Sequence, residues 1–365
     1  MIEKGEALDI LKDYNKEEIA VATLGSHSAL QILKGAKEEG FRAIAICKKE
    51  QKIIYERFRV ADEIITLNDY KDIVKEENQQ KLREKNCVIV PHGSLIAYVG
   101  VDDIEENLRL PILGNRRILR WESDRTMERQ WLEDADIKLP KEFKDPKDID
   151  RLSLVKFPGA RGGRDYFLAK NYDSFKRKSS DFVKRGKITE EDVRNATVQE
   201  YISGVNMYLS YFYSPLKDEV ELFCIDKRYE SNIDGLTRIP ANDQKVVYED
   251  PRFDASYVVV GNFPIVARES LLNQVFEMGD RIVESSKKIA PPGMMGAFCL
   301  ETMINDDLKF IAFEISARIV AGTNPFTSGS PYSYLLYGSN MSMGRRIARE
   351  LKNAIDQDMV AKIIT

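Results

Sequence analysis

The stretch Ile19-Ala-Val-Ala-Thr-Leu24-Gly-Ser-His27 is an apolar strand that ends in a glycine, a serine and a histidine. An amphipathic pattern follows it up to Glu39 and predicts a helix, for which Gly40 is a suitable C-cap. Three more apolar runs of strand length follow, at 41–46, 63–67 and 87–90. Strands that alternate with helical segments over the first ~120 residues predict a small doubly wound parallel sheet.

Length and composition restrict the class of protein. The 365 residues exceed one typical domain, and 43% hydrophobic with 31% charged residues is an ordinary globular composition. A net charge of -4 gives no overall attraction to nucleic acid, and no run of ~18 apolar residues could cross a membrane. The N-terminus lacks the apolar segment of a signal peptide, and the four cysteines form no CxxC pair. We therefore expect a cytoplasmic protein with reduced thiols and with neither nucleic acid nor membrane as a partner.

His27 and Ser94 occupy similar positions, each just after a predicted parallel strand. Open α/β sheets bind ligands at that edge, where helix N-termini present free N–H groups to anions. A phosphate could therefore bind there, with Ser94 as a donor and His27 near the reacting group. The alternative is a pair of helix N-caps with a structural histidine.

Lys156-Phe-Pro-Gly-Ala-Arg-Gly-Gly-Arg-Asp-Tyr166 is the most distinctive segment. Its glycines allow backbone N–H groups to approach a polyanion closely, and Lys156, Arg161 and Arg164 can add charge-assisted contacts. The segment is neither a Walker A loop nor a GxGxxG loop. A basic surface hairpin is the alternative interpretation.

Glu301 and Glu314 are the predicted metal ligands, because they lie on the two strands of one predicted hairpin. With Asp306-Asp307 as the turn, residue 301 faces residue 312 and lies diagonal to residue 314. Strand alternation then places Glu314, Ser316 and Arg318 on one face. The opposite face would carry Ile311, Phe313 and Ile315. Two carboxylates and an arginine suit Mg²⁺ with phosphate, and a solvated face with an ion pair is the alternative.

The remaining segments predict antiparallel structure and a charged junction. Three alternating runs, 198–202, 207–213 and 219–225, are expected to pair with one another, and helices are expected at 269–289 and 342–358. Glu230, after the third run, could accept a hydrogen bond from a ribose or an adenine, although a surface turn is equally compatible. Four arginines near Trp121 are expected to form a salt network at a domain junction: Arg116, Arg117, Arg120 and Arg125.

The order of lysine, glycine loop, hinge and paired glutamates resembles the ATP-grasp fold. Five segments resemble, more closely, the archaeal formate-dependent FAICAR synthetase family: Ala22-Thr-Leu-Gly-Ser-His27, Pro91-His-Gly-Ser94, Gly114-Asn-Arg-Arg-Ile-Leu-Arg-Trp-Glu122, Lys156–Arg164 and Asp226-Lys-Arg-Tyr-Glu-Ser-Asn-Ile-Asp-Gly235. The implied fold class is α/β and α+β, an ATP-grasp fold with an N-terminal Rossmann-like α/β domain. The implied domains are 1–122 for substrate, 123–202 for the central lobe with the glycine loop, and 203–365 for the C-terminal lobe with the metal-binding hairpin.

The resemblance also implies a reaction, in which formate is joined to the 5-amino group of AICAR while ATP becomes ADP and phosphate, by way of formyl phosphate. His27 and Arg318 would then be catalytic. Mg²⁺ or Mn²⁺ would bind Glu301 and Glu314, and the chain would form a homo-oligomer, a trimer or a hexamer. AICAR contacts map to His27, Ser94 and Asn262. ATP contacts map to Lys156, Gly159, Arg161, Gly162, Gly163, Glu200, Tyr201, Ile202 and Glu230.

Two alternatives remain open from the sequence. One is a related ATP-grasp ligase that acts on another ribonucleotide, and the other is a non-catalytic sensor of adenine nucleotides. The presence of both Glu301 and Glu314 favours an enzyme, because binding of adenosine needs neither. Ser316 departs from the general ATP-grasp pattern, where many ligases carry a metal-binding asparagine, and this leaves the metal to the two glutamates.

Overall fold

The structure, a computed structural model, describes residues 2–157, 166–250, 252–253 and 255–365. Its N-terminal part is a four-stranded parallel sheet in the order β3-β2-β1-β4, as the alternation of strands and helices predicts. The strands are β1 (Ala20–Leu24), β2 (Arg42–Lys48), β3 (Glu63–Leu67) and β4 (Cys87–Ile89). The helices are α1 (Lys4–Lys12), α2 (Ala29–Glu38), α3 (Lys52–Phe58), α4 (Glu76–Arg83), α5 (Gly93–Val99) and α6 (Val101–Glu106).

A second, antiparallel sheet of four strands follows, in the order β5-β8-β6-β7. Its strands are β5 (Glu142–Phe143), β6 (Ser153–Lys156), β7 (Tyr166–Ala169) and β8 (Thr197–Glu200). Helices of this region are α7 (Ile118–Ser123), α8 (Arg125–Asp134), α9 (Tyr172–Lys184) and α10 (Glu190–Arg194). The prediction that the run at 198–202 pairs with 207–213 is wrong. Val198 instead lies opposite Val155 of β6, in an apolar cluster that contains Phe157 and Phe167, and this burial determines which sheet the strand joins.

The third sheet has five antiparallel strands in the order β11-β10-β9-β12-β13. They are β9 (Val205–Ser214), β10 (Glu219–Glu230), β11 (Val259–Ile265), β12 (Gly296–Ile304) and β13 (Phe310–Ser316). Helices of this region are α11 (Ile233–Leu236), α12 (Ala241–Glu249), α13 (Glu269–Ile289), α14 (Pro331–Tyr337) and α15 (Met343–Asp356). The two long predicted helices are thus confirmed, whereas β10 extends five residues beyond the predicted run at 219–225.

The hairpin of β12 and β13 has a register that differs from the predicted one. Its turn is one residue longer than predicted, because Asn305 pairs with Lys309 and Leu308 has a φ of 58°. A β-bulge then lies next to Glu301, so that Glu301 faces Glu314 while Thr302 faces Ala312. The extra residue is Phe313, which packs with Tyr208 and Cys299, whereas Ile315 packs in the cluster on the other face. The predicted common face for Ile311, Phe313 and Ile315 is therefore wrong.

Helices α2 and α15 pack together and join the parallel sheet to the five-stranded one. Glu39, at the end of α2, accepts from Arg345 (Nε to Oε1, 2.6 Å) and from Arg349 of α15. Gly344 lies so close to the α2 backbone that a Cβ would be 2.1 Å from the carbonyl oxygen of Gln31. This close contact holds the carboxyl edge of the parallel sheet next to the five-stranded sheet. Within the part of the chain that the structure describes, no helix is both long and apolar enough to cross a lipid bilayer.

Candidate active site

A cleft of about 650 Å³ lies between the carboxyl edge of the parallel sheet and the face of the five-stranded sheet. The structure brings five of the predicted site residues to its lining: His27, Asn262, Glu301, Glu314 and Arg318. Ser94 is buried in the first turn of α5, where its N–H donates to Nδ1 of His92 (3.2 Å), and it is not among the described residues that line the cleft.

His27 follows β1 in the left-handed conformation, with a φ of 53°. Its Nδ1 is 2.8 Å from the Ser28 hydroxyl, and its ring stacks on that of His92 at 5.4 Å between centroids. His27 is an exposed residue, and its ring opens onto the cleft. Desolvation by the protein around the ring, and next the positive charge of Arg318, lower the pKa of His27. His27 is therefore neutral at physiological pH.

Arg318 follows β13 and is held by a residue of the N-terminal half. Its Nη2 is 2.9 Å from Oε1 of Glu122, at the end of α7. The second Glu122 oxygen accepts from the N–H of Ala317 at 2.7 Å. Gly93 makes room for this arrangement, because a Cβ there would be 3.1 Å from Nε2 of His27 and 3.4 Å from the Arg318 guanidinium. The positive charge of Arg318 is thus fixed beside the neutral imidazole.

Glu301 and Glu314 face each other on the wall of the cleft. Arg228 of β10 donates from Nη2 to Oε1 of Glu301 and lies over the Tyr208 ring, 4.2 Å from its centroid. The other Glu301 oxygen is buried and has no hydrogen-bond partner among the described residues. The charge of Glu301 raises the pKa of Glu314. An unpartnered carboxylate oxygen opposite a second carboxylate fits a hard divalent cation.

The described residues include no group of three or more histidine, cysteine, aspartate or glutamate side chains that could hold a metal ion. A cation bound at Glu301 and Glu314 would thus take further ligands from phosphate oxygens or water, as Mg²⁺ commonly does.

Asn262 of β11 reaches the cleft from the edge of the sheet. Its Nδ2 donates to Oδ2 of Asp226 on β10, at 2.9 Å. Burial raises the pKa of Asp226 to about 6, and the hydrogen bond from Asn262 opposes that rise.

Lys156 lines a second cavity, of about 250 Å³, that shares Glu314 with the cleft. Burial lowers the pKa of Lys156, although the negative charge of Glu314 opposes the shift. Arg125 lines the same cavity and makes no hydrogen bond or ion pair that the described residues show. The prediction that Arg125 belongs to the junction salt network is therefore wrong, whereas Arg120 pairs with Asp102 (2.8 Å) and Glu105 (2.6 Å).

The predicted hinge lies where β8 ends. The Glu200 carboxylate is 3.2 Å from Nη1 of Arg151 and also accepts from the N–H of Lys141, whereas the Tyr201 side chain is exposed. Ile202 is half-buried in the segment that leads to β9.

Glu230, the last residue of β10, is half-buried. Its negative charge contributes to the raised pKa values of Tyr166 and Tyr257. Gly159, Arg161, Gly162 and Gly163 lie outside the described residues.

Several residues that line or support the two cavities were missed from sequence. Arg125 and Glu128 line the cavity of Lys156, and Glu122 binds Arg318 of the cleft. Arg228 lines the cleft, and Asp226 binds Asn262 there. A signal existed for Asp226 and Arg228. Asp226, Arg228 and Glu230 alternate along β10, which is typical of one strand face. Ending the predicted strand at Ile225 hid that pattern.

Comparison with known proteins gives two family models. Residues 174–365 match a model described as a domain of unknown function (DUF1297), and residues 21–143 match one described as a protein of unknown function (DUF1246). Together they cover both the parallel sheet and the five-stranded sheet.

Curated relatives match over the full chain. A protein from Methanocaldococcus jannaschii named 5-formaminoimidazole-4-carboxamide-1-(beta)-D-ribofuranosyl 5'-monophosphate synthetase is 54% identical, with 100% of both chains covered. A protein of the same name from Methanothermobacter thermautotrophicus is also 54% identical, over 100% of this chain and 99% of the other.

Solved structures are similar to this chain over most of its length. An IMP biosynthesis protein PurP from Thermococcus kodakaraensis is 31% identical, with a TM-score of 0.72 over 94% of this chain and 100% of the other. The ADP complex of purK, N5-carboxyaminoimidazole ribonucleotide synthetase, has a TM-score of 0.64 over 92% and 77% of the two chains, and its 12% identity shows the fold alone. The resemblance found in the sequence is confirmed: the chain has the ATP-grasp fold and belongs to the family of 5-formaminoimidazole-4-carboxamide ribonucleotide synthetases.

Proposed function

We propose that this protein is a carbon–nitrogen ligase that formylates AICAR to FAICAR in purine (IMP) biosynthesis, with ATP and free formate as co-substrates. A carboxylate oxygen of formate attacks the γ-phosphorus of ATP, which releases ADP and forms formyl phosphate. The 5-amino nitrogen of AICAR then attacks the formyl carbon, phosphate leaves, and the nitrogen loses a proton. The activity that the names of the full-length relatives describe supports this assignment.

The first step needs positive charge around the transferred phosphoryl group. Lys156 and Arg318 lie on the two sides of Glu314, in the cavity and in the cleft. Glu301 and Glu314 would hold Mg²⁺ or Mn²⁺, which would neutralise phosphate charge when bound. The segment Gly159–Gly163 is proposed to cover the phosphates, with the hinge at 200–202 and Glu230 on the nucleoside.

The second step needs a weak aromatic amine held against the mixed anhydride. His27 is neutral because desolvation and Arg318 lower its pKa. A neutral imidazole can accept a hydrogen bond from the amine and so orient the nitrogen, but its low pKa makes it a weak base, so the departing phosphate is the better acceptor for the proton. His27 and Asn262 line the cleft, and Ser94 lies two residues after His92, whose ring stacks on His27. The cleft lining thus supports His27 and Asn262 as AICAR contacts, and the family resemblance adds Ser94 as the third.

One observation carries the proposal: a neutral histidine, a fixed arginine and two facing carboxylates line a single cleft beside the cavity that contains Lys156. A sensor of adenine nucleotides has no need of this set, because nucleotide binding alone does not require a histidine and an arginine next to paired carboxylates.

The decisive experiment measures ADP release from ATP and formate, with and without AICAR, and identifies the product by mass spectrometry. AICAR-dependent ADP release with formation of FAICAR is the expected result. Release that requires a different ribonucleotide would instead indicate a related ligase, and tight ATP binding without any release would indicate a sensor.

A cytoplasmic homo-oligomer, a trimer or a hexamer, is part of the proposal. Four free and buried cysteines support a reducing compartment. Apolar side chains exposed on α14 and on the edge strand β11 support self-association, among them Leu335, with 81% of its surface exposed, and Phe263 with 50%. Light scattering of the purified chain tests this, and a monomer at all concentrations would refute it.

A further inference from the structure

Asp226 is a buried carboxylate, only 1% exposed, that contacts two residues of the cleft lining, Asn262 and Gly322. Oδ2 accepts from Nδ2 of Asn262, and Oδ1 has no hydrogen-bond partner among the described residues. Gly322 covers the carboxylate so closely that a Cβ there would be 2.0 Å from Oδ1. The carboxylate is therefore confined, and the hydrogen bond that it makes with the described part of the chain is to an amide that lines the cleft.

The chemistry of this pair fixes which way the amide points. An ionised carboxylate only accepts hydrogen bonds, so the NH2 group of Asn262 must be the end that faces Asp226. The carbonyl oxygen Oδ1 is then the end left for the cleft. In the strand register Asp226 faces Pro264 and Asn262 faces Arg228, so the two side chains lie diagonally on one face of β10 and β11.

We propose that Asp226 is a positioning residue that holds the carbonyl oxygen of Asn262 toward the cleft, and that the cleft thereby selects a ligand that offers an N–H donor at this point. This inference rests on the proposed function, because it takes Asn262 to contact the imidazole substrate. AICAR fits the requirement, since both its amine and its carboxamide carry N–H donors. A ligand with only acceptors there would face an unpaired buried carbonyl oxygen, which is costly.

The test is a double-mutant cycle on AICAR affinity, measured by calorimetry on the full chain with Mg-ADP present. The variants are Asp226→Asn, Asn262→Ala and the pair together. Asp226→Asn keeps the shape but lets the Asn262 amide rotate, so AICAR affinity should fall about tenfold. In the Asn262→Ala background the same change should have no further effect, because the group that Asp226 positions is gone. Affinity for Mg-ADP should stay within about twofold of wild type throughout.

Losses that simply add in the double variant, or unchanged AICAR affinity in Asp226→Asn, would overturn the positioning role. If Asp226→Asn does not fold, the smaller Asp226→Ser replaces it in the same cycle. A wild-type protein without AICAR-dependent ADP release would refute the proposed function itself, so the two failures are distinguishable.

Discussion

Glu301 on β12 and Glu314 on β13 are direct partners across the two strands, and the bulge next to Glu301 is what places them opposite each other. Without it, Thr302 and Ala312 would continue a register in which Glu301 meets Phe313. The bulge thus places the two carboxylates directly opposite each other, which regular strand alternation in this register would not do.

Replacing either carboxylate should impair the phosphoryl step more than folding. Glu314→Gln removes one predicted ligand and the negative charge that faces Glu301, so ADP release should fall about 100-fold and require more Mg²⁺. A magnesium titration of initial rates measures both effects. The matched control is Asp307→Asn, at the exposed turn of the same hairpin. A Glu314→Gln enzyme with wild-type rate and magnesium dependence would remove Glu314 from the metal site.

Arg125 should contribute to ATP binding, because it lines the cavity of Lys156 without a partner among the described residues. Arg125→Ala should raise the KM for ATP about tenfold and leave the KM for AICAR unchanged. Steady-state kinetics with each substrate varied in turn measures the difference. Arg185→Ala is the control, since Arg185 is an exposed residue directly after α9 whose Nε is 3.0 Å from Oδ2 of Asp181. Equal effects on both KM values would contradict the assignment.

Glu128 of α8 should make stability depend on pH. Its Oε1 accepts from the N–H of Ile315 at 2.7 Å, while burial and the charge of Glu314 raise its pKa to about 9. An acid whose pKa is higher in the folded state binds more protons folded than unfolded. Stability therefore falls as pH rises from the unfolded value of 4.5 to about 9.

Glu128→Gln imitates the protonated carboxyl and retains the acceptor. In the nucleotide-free protein at pH 9, it should be more stable than wild type by about 2 kcal/mol, with little difference at pH 5. Urea denaturation at the two pH values tests this. Parallel pH profiles for the two proteins would show that Glu128 is not the titrating group.

The sequence predicts the architecture well where local patterns determine it. The four parallel strands and the helices α2 and α13 follow from apolar periodicity and caps, and Glu301, Glu314 and Arg318 reach one cleft as expected. The register of β12 and β13 could not be predicted in this way, because it depends on one extra turn residue and on a bulge that periodicity does not encode. The partner of β8 likewise depends on which apolar face it meets, and not on its own alternation.

Long-range ion pairs and side-chain hydrogen bonds are the part that sequence reasoning misses. Nothing local relates Arg228 to Glu301, or Asp226 to Asn262, because each pair forms only after the strands have aligned. Glu122 appears in the sequence analysis only as the last residue of the segment Gly114–Glu122, and no local pattern relates it to Arg318. Its position beside Arg318 depends on the tertiary structure, in which α7 packs on α8 and α8 packs on β13.

Glu122 should set the geometry of Arg318 without contacting substrate. Its two oxygens accept from Nη2 of Arg318 and from the N–H of Ala317. The side chains of Glu122 and Arg318 are largely buried, with 7% and 14% of their surfaces exposed. Burial raises the pKa of Glu122, and the charge of Arg318 opposes that rise. Glu122→Gln retains the shape of the side chain but replaces the ion pair with the Arg318 guanidinium by a weaker neutral hydrogen bond. We expect kcat to fall about tenfold with the KM for ATP unchanged, since orientation and not affinity is lost.

Arg318→Lys should lose activity as well, and adding Glu122→Gln to it should then have little further effect. A Glu122→Gln enzyme with wild-type kcat, or a double variant whose losses multiply, would mean that Arg318 is held in place by other contacts.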